Sequence, residues 1–217
     1  MTEKVFWNDP CLTRLETRIA GVAGDIVTVE RTIFYAFSGG QESDQGTIGG
    51  VPVLKAAKSG QDIDYTLPAG HGLRPGDAVT IAIDGVRRRR LMRLHFAAEV
   101  ILVLILRAAP GIAKIGAHIA ADKARIDFAW DHNLATLFAE LQGQADALIA
   151  ADLPIISAFS DRERQYRYWE VAGFARVPCG GTHLKTTGEV GALDLKRRNP
   201  GKGKERVEIT LVDPDPR

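Results

Sequence analysis

The stretch Ala78-Val79-Thr80-Ile81-Ala82-Ile83-Asp84-Gly85-Val86-Arg87-Arg88-Arg89-Arg90-Leu91-Met92-Arg93-Leu94-His95-Phe96-Ala97-Ala98-Glu99-Val100-Ile101-Leu102-Val103-Leu104-Ile105-Leu106-Arg107 contains the change of texture that decides the fold. Ala78 to Ile83 reads as a strand, and Asp84-Gly85 is a tight-turn signal. From Arg87 to Arg107 there is no Gly or Pro and strong helix formers dominate, so a long helix is predicted. Pro110-Gly111 stops it. The chain therefore divides near residue 86, into a β-rich, barrel-like domain (1–86) and an α+β domain (87–217).

Upstream of the boundary the signals are strands and turns. Asp25 to Glu30 and Arg31 to Phe37 read as strands. Ser38-Gly39-Gly40-Gln41 and Gly49-Gly50 punctuate strands rather than helices. Val51 to Leu54 is a short strand, and Leu73 to Asp77 is a turn. A small barrel or closed sheet fits this pattern. Downstream, Ile112 to Ile119 and Lys123 to Trp130 read as strands. Asn133 to Ala151 reads as a helix, with Leu134, Leu137, Leu141, Ala145 and Leu148 at helical spacing. Ile155 to Phe159 reads as a strand and Asp161 to Trp169 as a short polar helix. Val190 to Val212 reads as two strands around a basic loop, Arg197 to Lys204. The predicted class is α+β.

The net charge of +1 supplies no global attraction for nucleic acid, so any such contact comes from local patches. The longest apolar run, Val100 to Leu106, is too short to span a bilayer. The first residues, MTEKVFWNDP, lack the apolar core of a signal peptide. Two distant cysteines, Cys11 and Cys179, form no disulfide framework. A reduced chain in the cytoplasm is the expectation. No obligate protein partner is evident.

Two segments carry candidate chemistry. His95 and Glu99, four residues apart on the predicted helix, share one face. Cys179-Gly180-Gly181-Thr182-His183 sets a thiol and an imidazole four apart, with glycines that let the backbone bend so that both point at one centre. A thiolate, two imidazoles and a carboxylate suit zinc. Each half alone is weak: a lone helix His is commonly a core or surface residue, and a lone buried Cys a small hydrophobe. Glu99 needs a partner if buried, and either a metal or one of the nearby arginines would serve.

Three segments in this order resemble the editing domain of alanyl-tRNA synthetase and its free-standing relatives, the AlaX family, and the medium-length type in particular. They are Phe34-Tyr35-Ala36-Phe37-Ser38-Gly39-Gly40-Gln41 with Asp44 and Gly46, Arg93 to Glu99, and Cys179 to His183 followed by Glu189-Val190-Gly191. The resemblance implies a small β-barrel followed by helices packed on an antiparallel sheet. It implies a Zn2+ site from His95, Cys179 and His183, with Glu99 standing where the family's second helix His is usual. It places Ser38, Gly39, Gly40, Gln41, Ala98 and Thr182 around the substrate, with Ala98 where the family often has Thr. The implied activity is hydrolysis of tRNA(Ala) carrying the wrong amino acid, serine first and glycine second. A zinc-dependent deacylase of another aminoacyl-tRNA and a non-catalytic tRNA-binding relative are the alternatives.

Glu99 is either a fourth ligand or a catalytic general base, as the helix glutamate of H-E-x-x-H proteases is, and Gln41 is the second catalytic candidate. Two basic clusters are candidate RNA contacts: Arg87, Arg88, Arg90 and Arg93 at the start of the helix, and Arg197, Arg198, Lys202 and Lys204 in the tail. Charge runs are commonly solvated surface; beside an editing motif, phosphate contact is the expectation. Four consecutive arginines cannot share one helical face, so some must be solvent-facing or paired.

Overall fold

The structure is a computed structural model and describes residues 1–212. It divides into two compact units, 1–38 with 42–89, and 39–41 with 90–217.

In the first unit the strands are β1 (Glu3–Lys4), β2 (Arg14–Ala23), β3 (Ile26–Val29), β4 (Arg31–Thr32), β5 (Gly46–Ile48), β6 (Val51–Pro52), β7 (Lys55–Ser59), β8 (Asp62–Thr66) and β9 (Ala78–Ile83). Seven of them form an antiparallel sheet in the order β6-β5-β9-β2-β3-β8-β7. It curls into a half-barrel, as the barrel-like pattern of the sequence led one to expect, with β6 and β7 at its edges. One face of the sheet is covered: β8 and β9 bury every second residue (Ile63, Tyr65; Val79, Ile81, Ile83). These side chains join Ile19, Val27, Val29, Ile33, Phe34 and Ile48 in one core. The predicted strand over Arg31 to Phe37 shrinks to Arg31–Thr32, paired in parallel with β1. Its remaining backbone bonds elsewhere: Phe34 N–H donates to Thr32 Oγ1 and Tyr35 N–H to Asp44 Oδ2, at 3.0 and 2.6 Å.

Helix α1 (Gly85–Ala108) has Asp84 at its start, where the carboxylate accepts from Arg87 N–H at 3.0 Å. It ends at Ala108, and three residues on the chain turns away at Gly111, whose φ of +91° a residue with a side chain adopts only under strain. Within the second unit α1 is apolar nearly all round, the pattern of a central helix. Leu91, Leu94, Phe96, Ile101 and Ile105 are fully buried. Next come β10 (Ala113–Ile119), β11 (Ala124–Ala129), α2 (Phe138–Ala150), β12 (Ile156–Asp161), β13 (Tyr166–Val171), β14 (Ala175–Pro178), β15 (Leu193–Gly201) and β16 (Lys204–Leu211). They make a four-stranded sheet, β10-β11-β16-β15, and a three-stranded sheet, β12-β13-β14, all antiparallel. One core joins α1, α2 and both sheets through Ile126, Phe128, Leu141, Trp169, Val207 and Ile209.

The predicted polar helix over Asp161 to Trp169 is instead a turn and most of β13. Gln165, at φ +58°, breaks any helix there. Arg167, Trp169 and Val171 are buried in alternation, a period of two. The basic tail loop is also shorter than expected, because β15 and β16 extend through it to a tight turn at Lys202-Gly203.

Candidate metal centre

Two segments of the second unit bring the cluster together. α1 delivers His95. β14 pairs with β13 as far as Pro178, and Cys179 N–H continues that pairing by donating to Arg167 C=O at 2.9 Å. The Gly180-Gly181 bend then turns His183 back. Gly181 is obligatory: a Cβ there would lie 2.1 Å from His95 Cε1. The bend also packs so closely on Gln41 that the same Cβ would meet Oε1 at 3.1 Å.

His95, Cys179 and His183 each offer a donor atom, and these atoms all lie within 4.8 Å of one another. The two imidazoles stack at 5.1 Å, 22° from parallel. Cys179 Sγ is 3.5 Å from His95 Nε2, and both rings are buried. His183 Nδ1 lies 3.1 Å from Ser157 Oγ, while its buried Nε2 has no hydrogen-bond partner among the described residues. A buried orphan acceptor beside a thiol and a second imidazole is the donor set that zinc takes.

Electrostatics agree. Burial, then the charges of His95 and Arg167, push the pKa of His183 far down, which keeps its ring neutral and its lone pair available. Burial would lower His95 as well, but the Cys179 sulfur and the Glu99 carboxylate outweigh it and lift its pKa to about 10. The surroundings of Nε2 thus favour positive charge, whether proton or metal cation.

Glu99 stands apart from the three-donor group. Its Oε1 is 3.7 Å from His95 Nε2, and its Oε2 accepts from the Trp169 indole N–H at 3.3 Å. Burial would raise its carboxyl, yet the hydrogen bond and charge of His95, with the indole, hold it below its ordinary value.

Gln41 reaches the cluster by backbone pairing. It bridges Ile119 of β10, and Ile119 N–H donates to Gly40 C=O at 2.8 Å. Gly40 permits this at φ +89°, since a Cβ would collide with Ala117 O at 2.6 Å. Buried Gln41 Nε2 donates to Thr182 Oγ1 at 3.1 Å, and its buried Oε1 has no hydrogen-bond partner among the described residues. Gly39 is exposed and Gly40 half-buried. Ser38 is half-buried, with its carbonyl accepting from the Tyr35 hydroxyl at 3.3 Å. Ala98 is buried in the second unit's core.

The basic residues divide sharply. Arg88 is buried and bidentate on Asp44, and it also donates to Ile33 C=O. Arg93 is buried, with Nε on Val190 C=O at 2.8 Å, which ties α1 to the segment after His183. Phosphate contact is therefore corrected for these two, because a phosphate cannot reach an enclosed guanidinium. Arg87 pairs with Glu42 and Arg90 donates to Ala121 C=O, both half-buried. Arg197 pairs with Glu205 and Arg198 with Glu208, while Lys202 and Lys204 are exposed at the hairpin tip.

Sequence reading passed over Arg167, Ser157 and Trp169. Arg167 lies buried beside Cys179, donates to Gly181 C=O at 3.4 Å, and is driven by burial to a pKa of about 10. All three lie on β12 and β13, two of them inside the stretch read as a helix. The alternation of Tyr166 to Val171 was the available signal.

Ser157→Ala is expected to weaken the affinity of this cluster for an added metal ion about tenfold. Partners on the far nitrogen of a metal-bound His are worth roughly 10–100-fold. Ser157 is exposed, so water replaces part of the loss. Competition with a chromophoric chelator measures this, and an unchanged affinity would show the contact to be incidental.

The sequence matches the threonyl and alanyl tRNA synthetase second additional domain over residues 170–208. An alanyl-tRNA editing protein AlaX-M of Methanosarcina barkeri is 33% identical, aligned over 98% of this chain and all of its own length. The AlaX-M of Pyrococcus horikoshii is 29% identical over 97% and 98%. The alanine–tRNA ligase of Methanopyrus kandleri is 30% identical over 95% of this chain but only 25% of its own. With full-length similarity above 30% identity, the Gln41 turn and the His–Cys–His cluster belong to a chain that is a member of the alanyl-tRNA editing protein family, AlaX-M.

Proposed function

We propose that this protein hydrolyses the ester of tRNA(Ala) charged with the wrong amino acid, serine first and glycine second, in the cytoplasm. The observation that carries the reading is the convergence of His95, Cys179 and His183, with buried Gln41 beside them, in a full-length member of the editing family. No helix among the described residues is long and apolar enough to cross a membrane. We also take the two units as a barrel-like domain and an editing domain.

His95, Cys179 and His183 would hold Zn2+, which supplies positive charge that polarises an ester carbonyl and acidifies water. With three protein donors, the ion would still have room for water or the ester. Glu99 is best read as the general base. Trp169 occupies its Oε2, and Oε1 faces the cluster, where it takes the proton of the attacking water. Gln41 Oε1, with no hydrogen-bond partner among the described residues, accepts from the ammonium or hydroxyl of the aminoacyl group. Ala98 offers no hydroxyl, so discrimination between serine and glycine rests on Gln41, Thr182 and the space they leave. Among the basic residues, Lys202, Lys204, Arg198, Arg197, Arg87 and Arg90 remain the candidates for phosphate.

Incubation of the purified protein with Ser-tRNA(Ala) tests the reading through release of serine. Tight binding without release would favour the non-catalytic relative, and release only from other mischarged tRNAs would favour the broader deacylase. Glu99→Gln separates the two roles of the carboxylate. A general base predicts a kcat lower by about 10²–10⁴-fold with zinc retained, whereas loss of zinc would make Glu99 a ligand.

A further inference from the structure

The far end of the four-stranded sheet holds a cavity that the editing chemistry does not use. It has a volume of about 320 Å³ and is lined by Gly111, Ala129, Trp130, Asp131, His132 and Gly203. The Trp130 and His132 rings meet edge to face, with centroids 5.0 Å apart and planes at 70°. Trp130 is half-buried and His132 exposed. The tip of the β15–β16 hairpin closes over one side, where Trp130 N–H donates to Gly203 C=O at 3.0 Å. Gly203 sits at φ +70°, and a Cβ there would lie 3.3 Å from Asp131 Oδ1. Lys202 and Lys204 flank that glycine and are exposed.

We propose that this cavity takes an unpaired nucleobase of the substrate RNA, set back from the aminoacylated end, with Lys202 and Lys204 on its flanking phosphates. The proposal rests on the functional reading above. The contents of the cavity select the ligand. An indole and an imidazole in the lining suit a flat π-system, the means by which unpaired bases are held. Asp131 would repel a phosphate inside the cavity, but its carboxylate accepts from the amino or imino hydrogens of a base. The positive charge stands outside, on the hairpin tip, where a backbone would run.

The position in the sheet sets the register. Gln41 is paired at Ile119, one end of β10, while Ala113 at the other end pairs with Ala129 on the cavity wall. Six residues of strand put roughly 20 Å between them. The cavity therefore cannot hold the terminal ribose and its ester; it reads nucleotides further up the strand.

Steady-state deacylation of Ser-tRNA(Ala) and of the seryl ester of the 3′-terminal trinucleotide, by wild type and by His132→Ala, Trp130→Leu and the exposed pair Lys202→Glu with Lys204→Glu, tests the proposal. For the full-length tRNA, KM should rise roughly tenfold, the scale of one base-stacking contact, with kcat within about twofold. The short ester should be hydrolysed equally by all. Unchanged KM for the tRNA in His132→Ala and in the lysine pair would overturn the proposal, as would equal damage to both substrates, which marks a structural effect. Should wild type deacylate neither substrate, the functional reading fails by itself. Anisotropy with labelled, uncharged tRNA then decides the cavity: about tenfold weaker binding by the variants supports it, and equal affinity refutes it.

Discussion

Cys179→Ala is expected to strip the protein of zinc and reduce deacylation to the uncatalysed background. Cys179 is the sole sulfur donor among the three clustered groups, and its partners are two imidazoles. Without it, a cation faces two neutral nitrogens and loses the negative charge that offsets it. Wild type should carry about one zinc per chain after mild purification, because a site of this kind binds tightly at neutral pH. The variant should carry a small fraction of that. The side chain is half-buried and small, so the fold should survive, which far-UV circular dichroism verifies. Cys179→Ser, nearly isosteric, guards against a packing artefact. Full activity in either variant would remove the thiol from the mechanism, and full zinc content in both would place the metal elsewhere. Stripping wild type with a chelator should mimic the variant, and added zinc should restore activity to wild type alone.

The second large effect is on stability, in the first unit. Asp44→Ala is expected to destabilise the protein by about 3–5 kcal/mol, the usual cost of leaving one member of a buried ion pair alone. Arg88 and Asp44 are each about 1% exposed, and the pairing is bidentate. Asp44 also accepts from Tyr35 N–H at 2.6 Å, so the substitution orphans a backbone donor too. Thermal melts should show a midpoint lower by on the order of ten degrees. The double variant Arg88→Met with Asp44→Ala should recover part of the loss, since no uncompensated charge then remains. A single-variant melt within a degree or two of wild type would mean that water reaches Arg88. The His–Cys–His cluster belongs to the other unit, so metal content per folded molecule should not change.

These two sites differ in how far the residues themselves disclosed them. Cys179, His183 and His95 were nameable from spacing and residue chemistry, because few combinations of side chains suit a soft, tetrahedral cation. Gln41 was nameable only through resemblance. Its route to the site, a glycine turn laid against β10, depends on a pairing between residues 41 and 119 that no local pattern encodes. Arg88 and Arg93 show the opposite failure. In sequence they belong to a basic run that reads as surface, yet both are buried. A helix turns about 100° per residue, so an arginine run samples every face, and here the inward faces met a carboxylate and a carbonyl.

Local composition alone determined the class of the fold, the long helix between Asp84 and Pro110, the strands at Ala78 and after Pro110, and the short list of side chains able to hold a metal. Those features follow from propensity and periodicity, which act over a few residues. The tertiary structure alone decided that Glu99 is bonded by Trp169 and stands outside the three-donor group, that Ser157 and Arg167 flank it, that Asp161 to Trp169 is a turn and strand, and which arginines remain exposed. Each depends on contacts between residues far apart in the chain, whose energies of desolvation and pairing exist only once the core has closed around them.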